Sequence, residues 1–489
     1  MTTPAYPRVA SFKTAAAFRA HLRRERIEME FDDELMAVSP LATPYENDGL
    51  RAGNRFCILP MEGWDGTPDG APSDLTRRRW RRFGESGAKL VWGGEAVAIR
   101  HDGRANPNQL CLSARTQPAI AGLRDVLVEA HRDRFGSHAD GDLLIGLQLT
   151  HSGRYARPDR YDEPRPLAAA AHPVLDRRFP QFPDGIPCAS DEQLDTLADD
   201  FVSAARLARD AGFAFVDVKA CHGYLGHELL GARGRAGRYG GSFDNRVRFL
   251  CRVIDGIRAG VPDLAIGVRL SAFDTMPFRK SADGAGEPDV TPDDQALSGF
   301  GIVCNEDLDA GLADARDLLR VLDARGVRWI AVTAGSPYYN PHIQRPALFP
   351  PLFGYEPPED PLRGVARQID ATARLKSAFP RMTFVGAAYS YLQEWLPHVA
   401  QHAVRTGLTD FVGLGRIVLS YPGLPADVLA GRPLSRSSFC RTFSDCTTGP
   451  RLGLVSGCFP LDPFYAARPE AAKVLEVRTR DISAKGVTS

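Results

Sequence analysis

No run of about eighteen consecutive apolar residues, the length a membrane-spanning helix needs, occurs in the 489 residues, which excludes an integral membrane helix. Charge of one sign is not in excess either: 60 basic side chains face 60 acidic ones. The basic surplus that draws a protein to a polyanion is missing, so no nucleic-acid partner is expected. The first residues, MTTPAYPRVASFKTAAAFRAHLRRER, lack the uninterrupted apolar core of a secretory leader and read as a polar tail entering a helix; a cytoplasmic location is expected. The nine cysteines (Cys57, Cys111, Cys188, Cys221, Cys251, Cys304, Cys440, Cys446 and Cys458) are odd in number and scattered, which argues for reduced thiols rather than a disulfide framework. Repeats, low-complexity blocks and Gly/Ser linkers are also missing, so one continuous architecture is sought.

What is present is a recurrence of short apolar runs, each followed by a stretch of helical period. They are RFCILPM (55–61), AKLVWGGEAVAI (88–99), DLLIGLQLTH (142–151), GFAFVDVKA (212–220), LAIGVRLS (264–271), VRWIAVTAG (327–335), RMTFVGAAY (381–389) and TDFVGLGR (409–416). Continuous rather than alternating apolarity marks strands buried on both faces, as in a parallel sheet sheathed by helices. Eight such strands predict an α/β protein with a (β/α)8 TIM barrel, an open doubly wound sheet being the alternative. The intervening segments carry helix signals: a Ser/Asp start in SDLTRRRWRRFGES and SFDNRVRFLCRVIDGIRAG, a Gly stop in DEQLDTLADDFVSAARLARDAG. Long connections at 152–190 and 272–306 follow strands 3 and 5, where barrels carry lids and substrate walls. We expect an N-terminal extension over 1–50, the barrel over 51–430 and a C-terminal extension over 431–489, the extensions capping the barrel or meeting a partner subunit in a homo-oligomer.

In a barrel, polar residues at strand C-termini converge on one pocket. Here those ends supply Pro60, Met61 and Glu62; Glu95 and Ala96; Gln148, His151 and Arg154; Lys219, His222 and Tyr224; Arg269; and Gly415 with Arg416. A buried Gln and a buried Arg are costly unless hydrogen-bonded, so a polar, partly anionic ligand is expected. GLGR (413–416), with the backbone around Gly386 and Tyr389, lies where barrels hold a phosphate, although Gly-x-Gly-Arg alone is commonly a turn. YGGSFDNR (239–246) reads as a turn plus helix cap through Ser242, and Tyr338 with Tyr339 as pocket walls.

The segments NRFCILPM, GGEAVAIRHDGRANPNQLCL, LQLTHSGR, VDVKACHGYLGHELL, RYGGSFDNRVRFL, GVRLS and FVGLGRIVLSYPGLP, in that order over about residues 40–430, resemble the old yellow enzyme family of FMN-dependent ene-reductases, in particular its dienoyl-thioester reductase branch. The resemblance implies an FMN-dependent NAD(P)H oxidoreductase acting on the activated C=C of an α,β-unsaturated carbonyl compound, or running the reverse desaturation. It implies that backbone at Pro60, Met61 and Glu62, with Ala96, lines the flavin; that Gln148 bonds its pyrimidine edge; that Arg269 lies beside N1; and that Tyr389, Gly415 and Arg416 hold the phosphate. His222 would bind the substrate oxygen and Tyr224 donate the proton. Lys219 departs from the family's His-x-x-His pattern, yet an ammonium also polarises a carbonyl. As a bland alternative, Lys219 pairs with Glu95 or Glu62.

Cys440, Cys446 and Cys458 have the spacing C-x5-C-x11-C, where that branch has C-x2-C-x3-C-x11-C for a four-cysteine iron–sulfur cluster. Three ligands leave an iron–sulfur cluster, zinc and unmetallated thiols all open. The FAD and NAD(P)H domains of the longer reductases are not found, so electrons are expected from NADH or NADPH docking over the flavin, or from a separate reductase. The rival reading is a flavin-free barrel lyase or hydrolase using Lys219 and His222 near Glu95; a non-enzymatic scaffold is the remaining one.

Overall fold

A computed structural model describes residues 6–290, 299–303 and 306–484. Cys304 and part of the 272–306 connection lie outside the described residues. The barrel strands are β1 (Phe56–Ile58), β2 (Leu90–Val91), β3 (Leu144–Thr150), β4 (Phe215–Ala220), β5 (Ala265–Ser271), β6 (Trp329–Thr333), β7 (Thr383–Gly386) and β8 (Phe411–Leu414). Each pairs in parallel with the next, and β8 returns to β1 through Val412↔Phe56 and Leu414↔Ile58, so the sheet closes. Closure leaves every strand covered by helices outside and side chains inside, which is why the sequence shows unbroken apolar runs and why nearly all strand residues are buried.

The helices that follow the first strands include α1 (Asp74–Gly84), α2 (Gln117–Phe135), α3 (Asp191–Asp210) and α4 (Phe243–Gly260). Two starts are as read from the sequence, Ser73 accepting from the Leu75 and Thr76 amides and Ser242 from Asn245, and Ser190 adds a third cap by accepting from Gln193. Each such cap stabilises its helix by about 1 kcal/mol.

The barrel interior is filled from below. Trp92, Phe215, Trp329, Leu144 and Phe411 form one buried cluster, and Tyr45, on an N-terminal hairpin of Tyr45–Asn47 and Leu50–Ala52, meets Trp329 and Phe411 edge-on. Burying one such indole removes roughly 200 Å² from water, on the order of 3–5 kcal/mol. The strand N-termini are thereby sealed, and open space remains at the C-terminal end.

One expectation is corrected. The run 88–99 is not a single strand: β2 stops at Val91, and a separate piece, Ala96–Ala98, pairs with the far end of β3 through Ala96↔Gln148. Glycine makes the break possible. At Gly94 the backbone has φ +56, and a Cβ would fall 2.3 Å from the Trp80 ring; at Gly93 it would fall 2.7 Å from the Gln148 amide nitrogen. The detour delivers Ala96 to the rim and sends Glu95 outward against α1.

Candidate active site

A cavity of about 260 Å³ opens at the C-terminal end of the barrel. Its walls include Pro60, Met61 and Glu62 after β1, Ala96, Lys219 and Arg269 at the ends of β4 and β5, His222 and Tyr224 after β4, and Gly415 and Arg416 after β8. Sequence reasoning had assigned each of these to one site, and the fold brings them together.

The floor is set by strand register. Gln148 stands opposite Asp217, and Lys219 opposite Arg269. Asp217 and Lys219 are two apart on β4 and so project from the same face. Asp217 is fully buried, and burial pushes its carboxyl up to about 6. It accepts from the Gln148 amide (Nε2, 2.5 Å) and from the Arg269 backbone N–H (2.6 Å). Because the carboxylate engages the NH2 end of Gln148, the other end is fixed as an acceptor, and Gln148 Oε1 is buried with no partner. Arg269 donates through Nη1 to the Pro60 carbonyl (3.1 Å), while its Nε is buried and unpartnered. Gln148 is not among the residues that line the cavity.

At the β7–β8 side the expectation for Tyr389 is corrected in part. Its ring turns into the core against Gly386, and its neighbours Ala388 and Ser390 line the cavity instead. Arg416 donates to the Pro346 carbonyl (Nη2, 2.6 Å), and its Nη1 is enclosed without a partner. A second guanidinium that the sequence reading missed, Arg345, lines the same wall and donates to the Thr447 hydroxyl. Burial and the neighbouring Arg416 and Arg451 push Arg345 down to about 10. No carboxylate among the described residues pairs with Arg345 or Arg416, so this end of the cavity is built for an anion. A Cβ at Gly415 would meet nothing within 4 Å, leaving its backbone approachable.

Another part of the wall carries Lys219, His222, Tyr224 and Tyr338. His222 adopts φ +68 and is pinned by its backbone: its N–H donates to Ser271 Oγ (3.0 Å) and its carbonyl accepts from Ser336 Oγ (2.7 Å). Burial, with Arg269 and Lys219 nearby, holds the imidazole well below its usual range, hence neutral; Nε2 lies 3.2 Å from Gln344 Nε2. Lys219 Nζ sits 3.9 Å from the Tyr224 ring centroid, and burial lowers the ammonium while Glu62 partly restores it. Neither salt bridge anticipated for Lys219 forms. Glu95 is held by Arg79 (2.6 Å) and accepts from the Trp80 indole, and Glu62 accepts from Tyr224. The lysine–histidine–Glu95 constellation of the flavin-free rival is therefore not assembled.

The Tyr224 hydroxyl donates to Glu62 Oε2 at 2.5 Å and lies 2.8 Å from the Tyr338 hydroxyl. Tyr338 stacks on Tyr155 (3.9 Å, 6°). Tyr339, expected beside it, instead donates to Asp274 away from this cavity. Arg154, one of the strand-end residues expected to face the pocket, is instead salt-bridged to Asp176 and Glu228 and does not line this cavity.

The C-terminal segment reaches the cavity through Cys446, Thr447, Ser456 and Gly457. Cys440, Cys446 and Cys458 are free thiols, and burial pushes Cys440 up. Among the described residues no group of three or more His, Cys, Asp or Glu side chains is placed to hold a metal ion, and Thr442 or Phe443 stands where a cluster's second thiolate would be required. The residues present do not fit an iron–sulfur cluster.

The chain has relatives among known proteins. The profile of the NADH:flavin oxidoreductase / NADH oxidase family matches residues 49–287. An NADH:flavin oxidoreductase of Gibberella zeae is 27% identical over 406 residues, covering 78% of this chain and 83% of its own. A putative 12-oxophytodienoate reductase-like protein 2A of Arabidopsis thaliana is 34% identical over 245 residues, covering 48% of this chain and 83% of its own. The matches to 12-oxophytodienoate reductases of Oryza sativa span only 59–62% of those chains. Among solved structures, a 2-naphthoyl-CoA reductase complexed with 2-naphthoyl-CoA aligns with TM-score 0.61 and 18% identity, covering 88% of this chain and 58% of its own. An old yellow enzyme homologue from Zymomonas mobilis aligns with TM-score 0.55 and 20% identity, covering 81% and 94%. At such identities the likeness is one of fold.

Proposed function

The chain belongs to the NADH:flavin oxidoreductase / NADH oxidase family, the old yellow enzyme group of FMN-dependent oxidoreductases, and from that premise we propose that it reduces the activated C=C of an α,β-unsaturated carbonyl compound with electrons from NADH or NADPH. FMN, when bound, supplies the hydride carrier. The observation that carries the reading is that Gln148 Oε1, Arg269 Nε and Arg416 Nη1 are buried polar atoms with no partner inside the protein. An unsatisfied buried donor or acceptor costs about 1–3 kcal/mol, which a ligand at the rim recovers.

In this reading Gln148 accepts from a ring N–H, its amide oriented by Asp217. Arg269 would lie beside the pyrimidine edge, where its charge favours an anionic reduced ring, and Arg416 with Arg345 would balance a phosphate. Pro60, Met61, Glu62 and Ala96 form the wall against the ring. Lys219 and neutral His222 donate to the substrate carbonyl oxygen, drawing electron density from the β-carbon; such preorganised donors act strongly in a water-poor site. Tyr224 delivers a proton to the α-carbon.

Anaerobic incubation of the FMN-loaded protein with NADPH or NADH and a cyclic enone in deuterium oxide tests it. A saturated ketone with solvent deuterium at the α-carbon is expected. Reduction of the carbonyl to an alcohol, or no product with either donor across several enones and enoate esters, would contradict it.

A further inference from the structure

A carboxylate at position 62 is not needed to form the cavity wall, since backbone serves there, yet its side chain is aimed at the proton donor. Glu62 Oε2 lies 2.5 Å from the Tyr224 hydroxyl, and Tyr338 contributes a second hydroxyl at 2.8 Å. A phenol has one proton to give. While Glu62 is ionised, that proton is committed to the carboxylate and none faces a substrate. When Glu62 is protonated, its own O–H can donate to the phenol oxygen, as can Tyr338, and the proton of Tyr224 is free to turn into the cavity.

Resting on the ene-reductase reading above, we propose that Glu62 is a positioning residue and proton reserve for Tyr224: in its acid form it orients the phenol proton toward the substrate and refills the phenol as that proton leaves. The step balances. The π pair of the substrate enolate forms a C–H bond at the α-carbon as the Tyr224 O–H bond breaks. The Tyr224 O–H bond is remade as the Glu62 O–H bond breaks, leaving Glu62 as a carboxylate that solvent reprotonates before the next cycle.

The groups facing Glu62 suit this. Lys219, whose ammonium lies over the Tyr224 ring, offsets the carboxylate that the step leaves behind. Tyr338 is held by its stack on Tyr155. Arg79, Asp65 and Glu95 lie behind Gly63 and are paired with one another. Burial raises the Glu62 carboxyl and outweighs the opposing pull of Lys219 and of the hydrogen bonds from Tyr224 and Asn106, so the acid form persists above the usual carboxylate range. The same burial, with Glu62 beside it, holds the Tyr224 phenol well above 10, so a phenolate left without a refill is costly.

The test uses the FMN-loaded full chain, reduced first and then mixed anaerobically with an enone across a pH series. In the wild type the rate of enone reduction is expected to fall about tenfold per pH unit above the Glu62 pKa. Glu62→Gln keeps an N–H donor to the phenol but cannot lose it, so its profile is expected to be flat over that range, with a lower acid plateau because refilling is lost. In the absence of substrate, an infrared carboxylic-acid band present in the wild type and missing from Glu62→Gln should disappear on raising pH at the midpoint of the kinetic limb. Tyr338→Phe should keep the limb and lower the plateau. Enone reduction with the same pH limb in wild type and Glu62→Gln, no titrating band, or loss of the limb in Tyr338→Phe overturns the proposal. No enone reduction at any pH instead overturns the reading on which it rests.

Discussion

Replacing Arg416 by Met removes a guanidinium while keeping most of the side chain's length, and the structure says which part of a nucleotide should notice. Nη1 of Arg416 is enclosed with no protein partner, Nη2 is engaged by the Pro346 carbonyl, and no carboxylate compensates the charge. Arg345 alone would then face the phosphate. A hydrogen bond to a charged group contributes about 1.5–3 kcal/mol, and 1.4 kcal/mol is a factor of ten in affinity, so FMN should bind about 10- to 150-fold more weakly. Riboflavin lacks the phosphate and should be affected less than about threefold. Fluorescence titration of flavin-stripped protein with both ligands measures this. Equal weakening for FMN and riboflavin, or unchanged FMN affinity, would refute the assignment of this end of the cavity to the phosphate.

Three more outcomes follow from the same geometry. Lys219→Met should slow enone reduction by about 10²–10³, the cost typical of removing one preorganised donor to a developing oxyanion; a change under threefold in single-turnover kinetics would return Lys219 to the wall. Gly94→Ala puts a methyl group within 2.3 Å of Trp80 at a backbone φ of +56, and should lower the urea-unfolding free energy by about 2–4 kcal/mol; an unchanged midpoint would mean that the turn relaxes freely. Asp217, pushed up to about 6, binds its proton more tightly folded than unfolded. Its contribution is therefore lost as pH rises through about 6, and the stability of the wild type relative to Asp217→Asn should grow by about 1.4 kcal/mol from about pH 7.5 to about pH 5. A flat difference would show that Asp217 does not titrate in that window.

The barrel was legible because strands covered on both faces are apolar over most of their length, and β3, β4 and β5 carry that signature apart from the few polar residues near their ends. The interruption in the second strand was not, because Gly93 and Gly94 are needed only where Gln148 and Trp80 crowd the backbone, a contact no local pattern records. At the site, Gln148, Arg269 and Arg416 stood out as polar residues in places where Leu would cost less. Asp217 could have been found by the same argument, an acid in the middle of VDVKA. Arg345 and the carboxylate function of Glu62 could not: each depends on which way a loop turns after its strand. The approach of Thr447 and Ser456 to the cavity depends likewise on long-range packing of the C-terminal segment.

The central claim is that the rim of this barrel holds one FMN, and its most direct test is the visible spectrum and flavin stoichiometry of the purified chain after incubation with FMN and removal of excess. One flavin per chain, with visible absorbance that bleaches on adding NADH or NADPH under nitrogen, is the predicted result. A colourless protein that takes up no FMN, with Gln148, Arg269 and Arg416 intact, would contradict the account.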